Sequence, residues 1–297
     1  MSATTLPMDR TIPLGALWTS YTLTLRGLLL WKRLLGLAFL TLIPLVVIGF
    51  FRALGAPSLA AQAPQHLARE FLRIEFYSVL LYFSSVVIPI TTLLLASGMI
   101  RDEQENQTLT YLLLTPVPRW ALYLSKLLAA MLVAFLLVTL GTGIVMLCLW
   151  VGSGVVTPQA WYSRWLAMVP CNALLILANA GIFALISVLL RPSLIIGVIY
   201  IAVFEVFLAN FPFALRKFTS VHYYQCIVCN WIGDQYQYLD LLKKQSVMEW
   251  PWSLSLEIRP ETQECVITLL SIFVVSTLLA MYFFTKKEYR LKTPEGS

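Results

Sequence analysis

Residues 127–151 read LLAAMLVAFLLVTLGTGIVMLCLWV, a run of 25 residues without a charged side chain. About 20 consecutive apolar residues are enough for a helix to cross the hydrocarbon core of a bilayer. The run is continuously apolar, whereas a barrel strand alternates apolar and polar side chains, so it predicts a helix. This stretch therefore indicates an integral membrane protein.

The composition of the whole chain agrees with that interpretation. Of the 297 residues, 59% are hydrophobic and 12% are charged, whereas soluble domains are about 45–50% apolar and about 25% charged. So few charged side chains cannot cover a soluble core of this size. The same composition excludes a disordered chain, and 5 cysteines are too sparse for a disulfide scaffold.

Six apolar segments are long enough to be membrane spans, which predicts an all-α, polytopic membrane protein with six transmembrane helices. They are residues 34–51, 78–100, 127–151, 165–190, 193–213 and 265–285. The first begins too far from Met1 for a secretory signal peptide. The predicted transmembrane domain is thus 34–285, between an amino-terminal segment, 1–33, and a tail, 286–297.

A helix is also predicted before the first span. Its apolar residues recur at helical spacing: Leu14, Leu17, Trp18, Tyr21, Leu25, Leu28 and Leu29. The opposite face carries Thr19, Ser20, Thr22 and Arg26. This amphipathic pattern is typical of an elbow helix that lies along the membrane interface.

The basic residues predict the orientation of the chain. With a cytoplasmic amino terminus, 12 of the 21 Lys and Arg residues fall in cytoplasmic segments. Positive residues are retained on the cytoplasmic side of a membrane. We therefore expect a multi-pass protein of the cell (inner) membrane with both termini in the cytoplasm. The positive net charge then suits anionic lipid headgroups and requires no nucleic acid.

The loop between the second and third spans reads RDEQENQTLTYLLLTPVPRW over residues 101–120. Asp102, Glu103 and Glu105 come first, where acids suit the positive end of a helix. Leucines follow at helical spacing, and Pro116 and Pro118 predict that one helix stops and another begins at about Arg119. From periodicity alone, this is either an interfacial helix packed on its own bundle or a docking element.

The loop resembles the signature of type-2 ABC exporter permeases, Glu-x-Glu-x-Gly-Thr-Leu-x-x-Leu-Leu-x-Thr-Pro-Val-x-Arg. The chain matches it from Glu103 to Arg119, except that Gln107 replaces the glycine. The resemblance implies that loop 101–126 couples the spans to a separate cytoplasmic ABC ATPase. The coupling residues that it implies are Glu103, Glu105, Thr108, Leu112, Leu113, Pro116 and Arg119. It further implies two ATPase subunits, which bind the ATP and Mg, and a second permease subunit that is identical or homologous.

The sequence contains no motif for catalysis. It has no Gly-x-x-x-x-Gly-Lys phosphate loop, so ATP hydrolysis is expected on the partner, and no cofactor or metal is expected in this chain. Its two histidines, His66 and His222, are not in a His-Glu-x-x-His motif. We therefore expect a protein that is not an enzyme.

Polar side chains inside the predicted spans are candidates for a translocation path, because ionisable groups are costly in a bilayer. Glu205 in the fifth span either lines a path or binds a proton, or else fixes helix packing. Asn172 and Asn179 are seven residues apart on one face of the fourth span. They are either substrate contacts or interhelical hydrogen-bond partners.

The segment 214–264 is predicted as a long outer loop, rich in Tyr and Trp, with a helix over about 234–244. It either anchors at the interface or, as the resemblance implies, forms a lid above the exit path. Cys226 and Cys229 lie three residues apart within it, after His222. They are a candidate disulfide if the loop is exported; free thiols and a metal site are the alternatives.

These observations predict the permease subunit of an ATP-driven transporter, and an exporter in particular. The alternatives are a membrane scaffold or assembly subunit without a transport path and, with less support, an intramembrane enzyme. Nothing in the spans distinguishes one substrate class from another.

Overall fold

The structure is a computed structural model that describes residues 14–29, 35–46, 49–50, 76–105, 118–151, 158–190, 192–210, 214–232 and 260–286. Helices form almost all of this part of the chain, and no strand occurs in it. The predicted all-α class is confirmed for these residues.

Eight helices are numbered here in chain order. They are α1 (Leu14–Leu28), α2 (Leu35–Val46), α3 (π-helical over Phe76–Val87, then α-helical over Ile88–Glu105), α4 (Arg119–Trp150), α5 (Pro158–Leu189), α6 (Ser193–Tyr200), α7 (Ser220–Ile232) and α8 (Thr262–Lys286). Between α6 and α7 the chain forms π-helical turns over Ile201–Phe207 and 3-10 turns over Leu208–Asn210 and Ala214–Phe218.

Within the described ranges, four helices are long and apolar enough to cross a membrane. They are Leu81–Met99, Arg119–Trp150, Trp161–Leu189 and Thr262–Lys286, which correspond to the predicted second, third, fourth and sixth spans. The other two predicted spans contain shorter apolar helices, Leu35–Val46 and Ser193–Phe207. The multi-pass membrane class is thus supported, while the count of six remains a prediction, as does the interfacial position of α1.

One helix boundary in the predicted coupling loop is confirmed and another is wrong. Pro118 is extended and α4 begins at Arg119, as the two prolines predicted. However, Glu103 and Glu105 do not begin a separate helix, because α3 continues without a break from Ile88 to Glu105. No helix-breaking residue follows the apolar part of α3, so the helix extends through its charged end.

Helix α5 is the centre of the bundle and packs against α3, α4, α6, α7 and α8. Its contact with α8 depends on Gly181. A Cβ atom there would lie 2.3 Å from Ser276 Oγ and 3.3 Å from the backbone oxygen of Phe273. A glycine lets two membrane helices approach closely, so dispersion contacts between their backbones contribute to the packing.

Candidate functional site

Both sides of the predicted coupling loop lie at one end of the bundle. The Arg119 guanidinium, at the start of α4, donates a hydrogen bond to the backbone oxygen of Thr285, near the end of α8, at 3.2 Å. Near the same end, Ser187 Oγ in α5 donates to the backbone oxygen of Ser97 in α3 at 3.2 Å. We call this the coupling end.

Helix α1 packs along α4 near the coupling end. Ser125 Oγ in α4 lies 3.4 Å from Ser20 Oγ in α1, and Leu17 packs against Ala121 and Leu122. The first helix, the start of α4 and the end of α8 are therefore on the same side of the bundle.

Most of the predicted coupling residues lie outside the part of the chain that the structure describes. These are Thr108, Leu112, Leu113 and Pro116; for Glu103 and Glu105 only the helical backbone is described. Arg119 is exposed and bonded to α8. The coupling role of all seven residues stays a prediction.

The opposite end of the bundle carries tryptophans. The rings of Trp150 and Trp161 stack with centroids 6.0 Å apart, and Trp161 stacks on Trp165 at 6.3 Å. Tryptophans prefer the boundary between hydrocarbon and water. At this end, Asn230 Nδ2 near the end of α7 also donates to the backbone oxygen of Pro260, just before α8, at 3.2 Å.

Glu205 is completely buried within the chain, and both its carboxylate oxygens accept hydrogen bonds. Tyr200 Oη donates to Oε1 at 3.1 Å, and Ser220 Oγ donates to the same oxygen at 2.7 Å. The backbone N–H of Val221 donates to Oε2 at 3.1 Å. The carboxyl oxygens of Glu205 are thus held at the amino terminus of α7, the positive end of the helix dipole.

Asn179 and Asn172 contact the same helix α7. Asn179 Oδ1 lies 2.8 Å from Ser220 Oγ, and Tyr224 Oη donates to Asn172 Oδ1 at 2.8 Å. Both asparagines, like Glu205, have no exposed surface. The structure therefore brings the three predicted path candidates together around α7 and buries each of them among the residues that it describes.

The hydrogen-bond chemistry at Ser220 decides the orientation of the Asn179 amide. The Ser220 hydroxyl has one hydrogen, so it cannot donate to both Glu205 and Asn179. Asn179 Nδ2, as placed, is buried without a partner. Exchanging the amide oxygen and nitrogen lets Nδ2 donate to Ser220 Oγ while Ser220 donates to Glu205.

Sequence reasoning missed α7, because segment 214–264 was predicted to be an outer loop. In the structure Ser220–Ile232 is a helix whose side chains lie in the hydrophobic core, against α5 and α8. The helix has 13 residues, whereas about 20 are needed to cross a bilayer, so a search for membrane spans does not find it. The sequence carried one signal, since threonine is a common N-cap residue and Thr219 precedes the helix. In the structure Thr219 Oγ1 accepts a hydrogen bond from the N–H of His222 at 3.3 Å.

No disulfide joins Cys226 and Cys229 in the structure, and the candidate pairing stays a prediction. The prediction assumed an exposed loop, whereas both side chains are buried in α7. Cys226 Sγ lies 3.8 Å from His222 Nε2. Across the described ranges, no three His, Cys, Asp or Glu side chains form a candidate metal site. The predicted helix over 234–244 lies outside those ranges.

Comparison with known proteins identifies the family. A search of curated proteins finds no match for the chain. The family model described as "ABC-2 family transporter protein" matches residues 29–289, from the end of α1 to just beyond α8. The match covers most of the 297 residues. The predicted resemblance is confirmed, and the chain belongs to the ABC-2 family of transporter proteins as a membrane permease.

Proposed function

We propose that the chain is the permease subunit of an ATP-driven exporter and that loop 101–126 couples it to a separate cytoplasmic ATPase. The family match over residues 29–289 carries the proposal. A permease of this family is a transport subunit and is generally not itself catalytic, so the ATP and Mg would bind to the partner.

The contacts at the coupling end support this proposal mechanically. A force applied to the loop would act directly on α3 and α4, which flank it. It would also act on α8 through the hydrogen bond from Arg119 to Thr285. Rigid helices carry such a displacement along their length, so a push at the coupling end would reach the tryptophan-rich end.

The translocation path is proposed to form between two permease subunits. The polar residues of a single chain, Glu205, Asn172 and Asn179, are enclosed and bonded to α7. We propose that two permeases in the inner membrane assemble with two cytoplasmic ATPases, and that the coupling end and both termini lie in the cytoplasm.

A membrane scaffold without a transport path is the second candidate function. The observation that favours it is the same enclosure of Glu205, Asn172 and Asn179, since a packing role needs no exposed polar surface. A scaffold would not require that ATP hydrolysis by a partner respond to loop 101–126.

Charge reversal in the loop tests the proposal. The Glu103→Lys and Glu105→Lys variants would place cations where the resemblance implies docking carboxylates, and permease-dependent ATP hydrolysis in reconstituted vesicles should fall about tenfold. The matched control is Glu264→Lys, an exposed acid at the other end of α8. Unchanged hydrolysis in both loop variants would contradict the coupling proposal and favour the scaffold.

A further inference from the structure

The fifth apolar segment does not cross the bundle as one helix. Helix α6 continues in π-helical turns that end at Phe207, 3-10 turns follow, and α7 restarts at Ser220. Ser220 contacts Asn179, which lies about ten residues before the end of α5 at Leu189, or about 15 Å at helical rise. The amino terminus of α7 is therefore enclosed by the bundle, well inside its coupling end.

A helix that begins at this depth has N–H groups that water does not reach. Unsatisfied backbone donors are costly inside a membrane protein, and broken helices are tolerated only where other groups bond to them. Here Thr219 Oγ1 accepts from His222, and Glu205 accepts from Val221. An acceptor oxygen at this position also suits the positive amino end of the helix dipole.

We propose that Glu205 is a positioning residue: its carboxylate caps the buried amino terminus of α7 and fastens the broken fifth segment to α5 and α7 as one unit. The link to α5 passes through Ser220 to Asn179. A second link lies further along α7, between Tyr224 and Asn172. Glu205 is thus committed to the protein's own donors and does not bind a transported molecule.

This assignment explains why an acid occupies an apolar segment. An asparagine or serine caps a helix from its own end, whereas Glu205 lies 15 positions before Ser220 and reaches this helix from another segment. The π-helical turns at 201–207 contain Glu205, and such turns often accompany functional positions in helices.

The reactivity of two native cysteines in α7 measures how often this helix opens. Cys226 and Cys229 are buried, whereas Cys148 in α4 is partly exposed and is the internal reference. Peptide mass spectrometry after maleimide treatment of the full chain measures each labelling rate separately. In Glu205→Ala the uncapped end of α7 should open more often, and labelling at Cys226 should rise about tenfold relative to Cys148.

Chemical rescue separates capping from general loss of stability. Formic acid crosses apolar surroundings in its neutral form, and formate matches the carboxylate that Glu205→Ala removes. Formate should return Cys226 labelling in this variant close to the wild-type rate. It should have no effect on Tyr224→Phe, which loosens α7 without leaving a carboxylate-sized cavity.

A second variant keeps the proposal testable if Glu205→Ala does not fold. In Glu205→Gln the amide oxygen still accepts from the N–H of Val221, but the NH₂ group faces the hydroxyl donors Tyr200 and Ser220. The labelling rate of Cys226 should therefore lie between the rates of the wild type and of Glu205→Ala. The proposal is overturned if Glu205→Gln labels at the wild-type rate while reconstituted transport fails, or if formate leaves Glu205→Ala unchanged. These outcomes do not depend on which ATPase the permease binds.

Discussion

The hydroxyl of Tyr224 is bonded to Asn172 Oδ1, and both side chains are fully buried. In Tyr224→Phe the oxygen Asn172 Oδ1 loses the Tyr224 hydroxyl as a donor, while the aromatic packing is kept. Interhelical side-chain hydrogen bonds in membrane proteins contribute about 0.6 kcal/mol on average and at most about 1.7 kcal/mol. We expect a loss of about 1 kcal/mol, measured as a lower midpoint of thermal unfolding in detergent.

The matched control for Tyr224→Phe is Tyr162→Phe, because Tyr162 is an exposed tyrosine near the start of α5. Its midpoint should stay at the wild-type value. Equal midpoints for the two variants would show that the bond to Asn172 does not hold α7 in place.

At the scale of single residues, the sequence predicted that Glu205, Asn172 and Asn179 matter, since polar groups are costly in apolar segments. It could not predict their partners. Ser220 and Tyr224 follow a break in the fifth segment, and they reach α5 only because the chain turns back into the bundle. Such a contact depends on tertiary packing, which cannot be predicted from the spacing of apolar residues in the sequence.

The contact between α5 and α8 depends on the absence of a side chain at Gly181. In Gly181→Val the new Cβ would displace Ser276 Oγ and press on the backbone at Phe273, which cannot move without shifting α8. Overpacking of this kind costs about 1–3 kcal/mol. We expect a lower unfolding midpoint and a smaller fraction of monodisperse protein in gel filtration.

Gly27→Val in α1 is the control for this substitution, because a Cβ at Gly27 has no neighbour within 4 Å. It makes the same chemical change in a helix without a close approach. If Gly181→Val is as stable as Gly27→Val, the two helices do not pack as closely as described.

At the scale of elements, the sequence predicted the long helices well and the interrupted ones poorly. The start of α4 follows from Pro118, and the long apolar runs define α4, α5 and α8. By contrast, the predicted fifth span, 193–213, changes from α-helix to π-helix at Ile201, which the sequence did not predict. The residues of α7 were predicted to be part of a loop. A hydropathy window measures length and polarity, so it cannot detect a short helix that is buried by its neighbours.

The orientation of the whole molecule can be tested with its own sequence. Asn106-Gln107-Thr108 is a glycosylation acceptor in the loop predicted to be cytoplasmic. In a microsomal insertion assay it should remain unmodified. Lys244→Asn creates the acceptor Asn-Gln-Ser in the predicted outer loop, and this site should be glycosylated.

Glycosylation at Asn106 would place the coupling end outside the cytoplasm and would contradict the proposed contact with an ATPase. Modification of neither site would mean that Lys244 is not in an exported loop, which contradicts the six-span topology.

The composition of the whole molecule predicted its class correctly, because a chain with 12% charged residues must expose apolar surface to lipid. It could not predict assembly. The subunit stoichiometry and the translocation path depend on surfaces that meet only between subunits. The exposed apolar side chains of α4 and α8 are of the same kind whether they face lipid or a partner subunit.

The most direct test of the central claim is native mass spectrometry of the tagged chain, purified from its own membrane in mild detergent. We predict a complex of two permeases and two ATPase subunits, and we predict that the double variant Glu103→Lys, Glu105→Lys releases the ATPases. Recovery of the wild-type chain without an ATPase, under conditions that preserve its fold, would contradict the assignment as an ATP-driven permease.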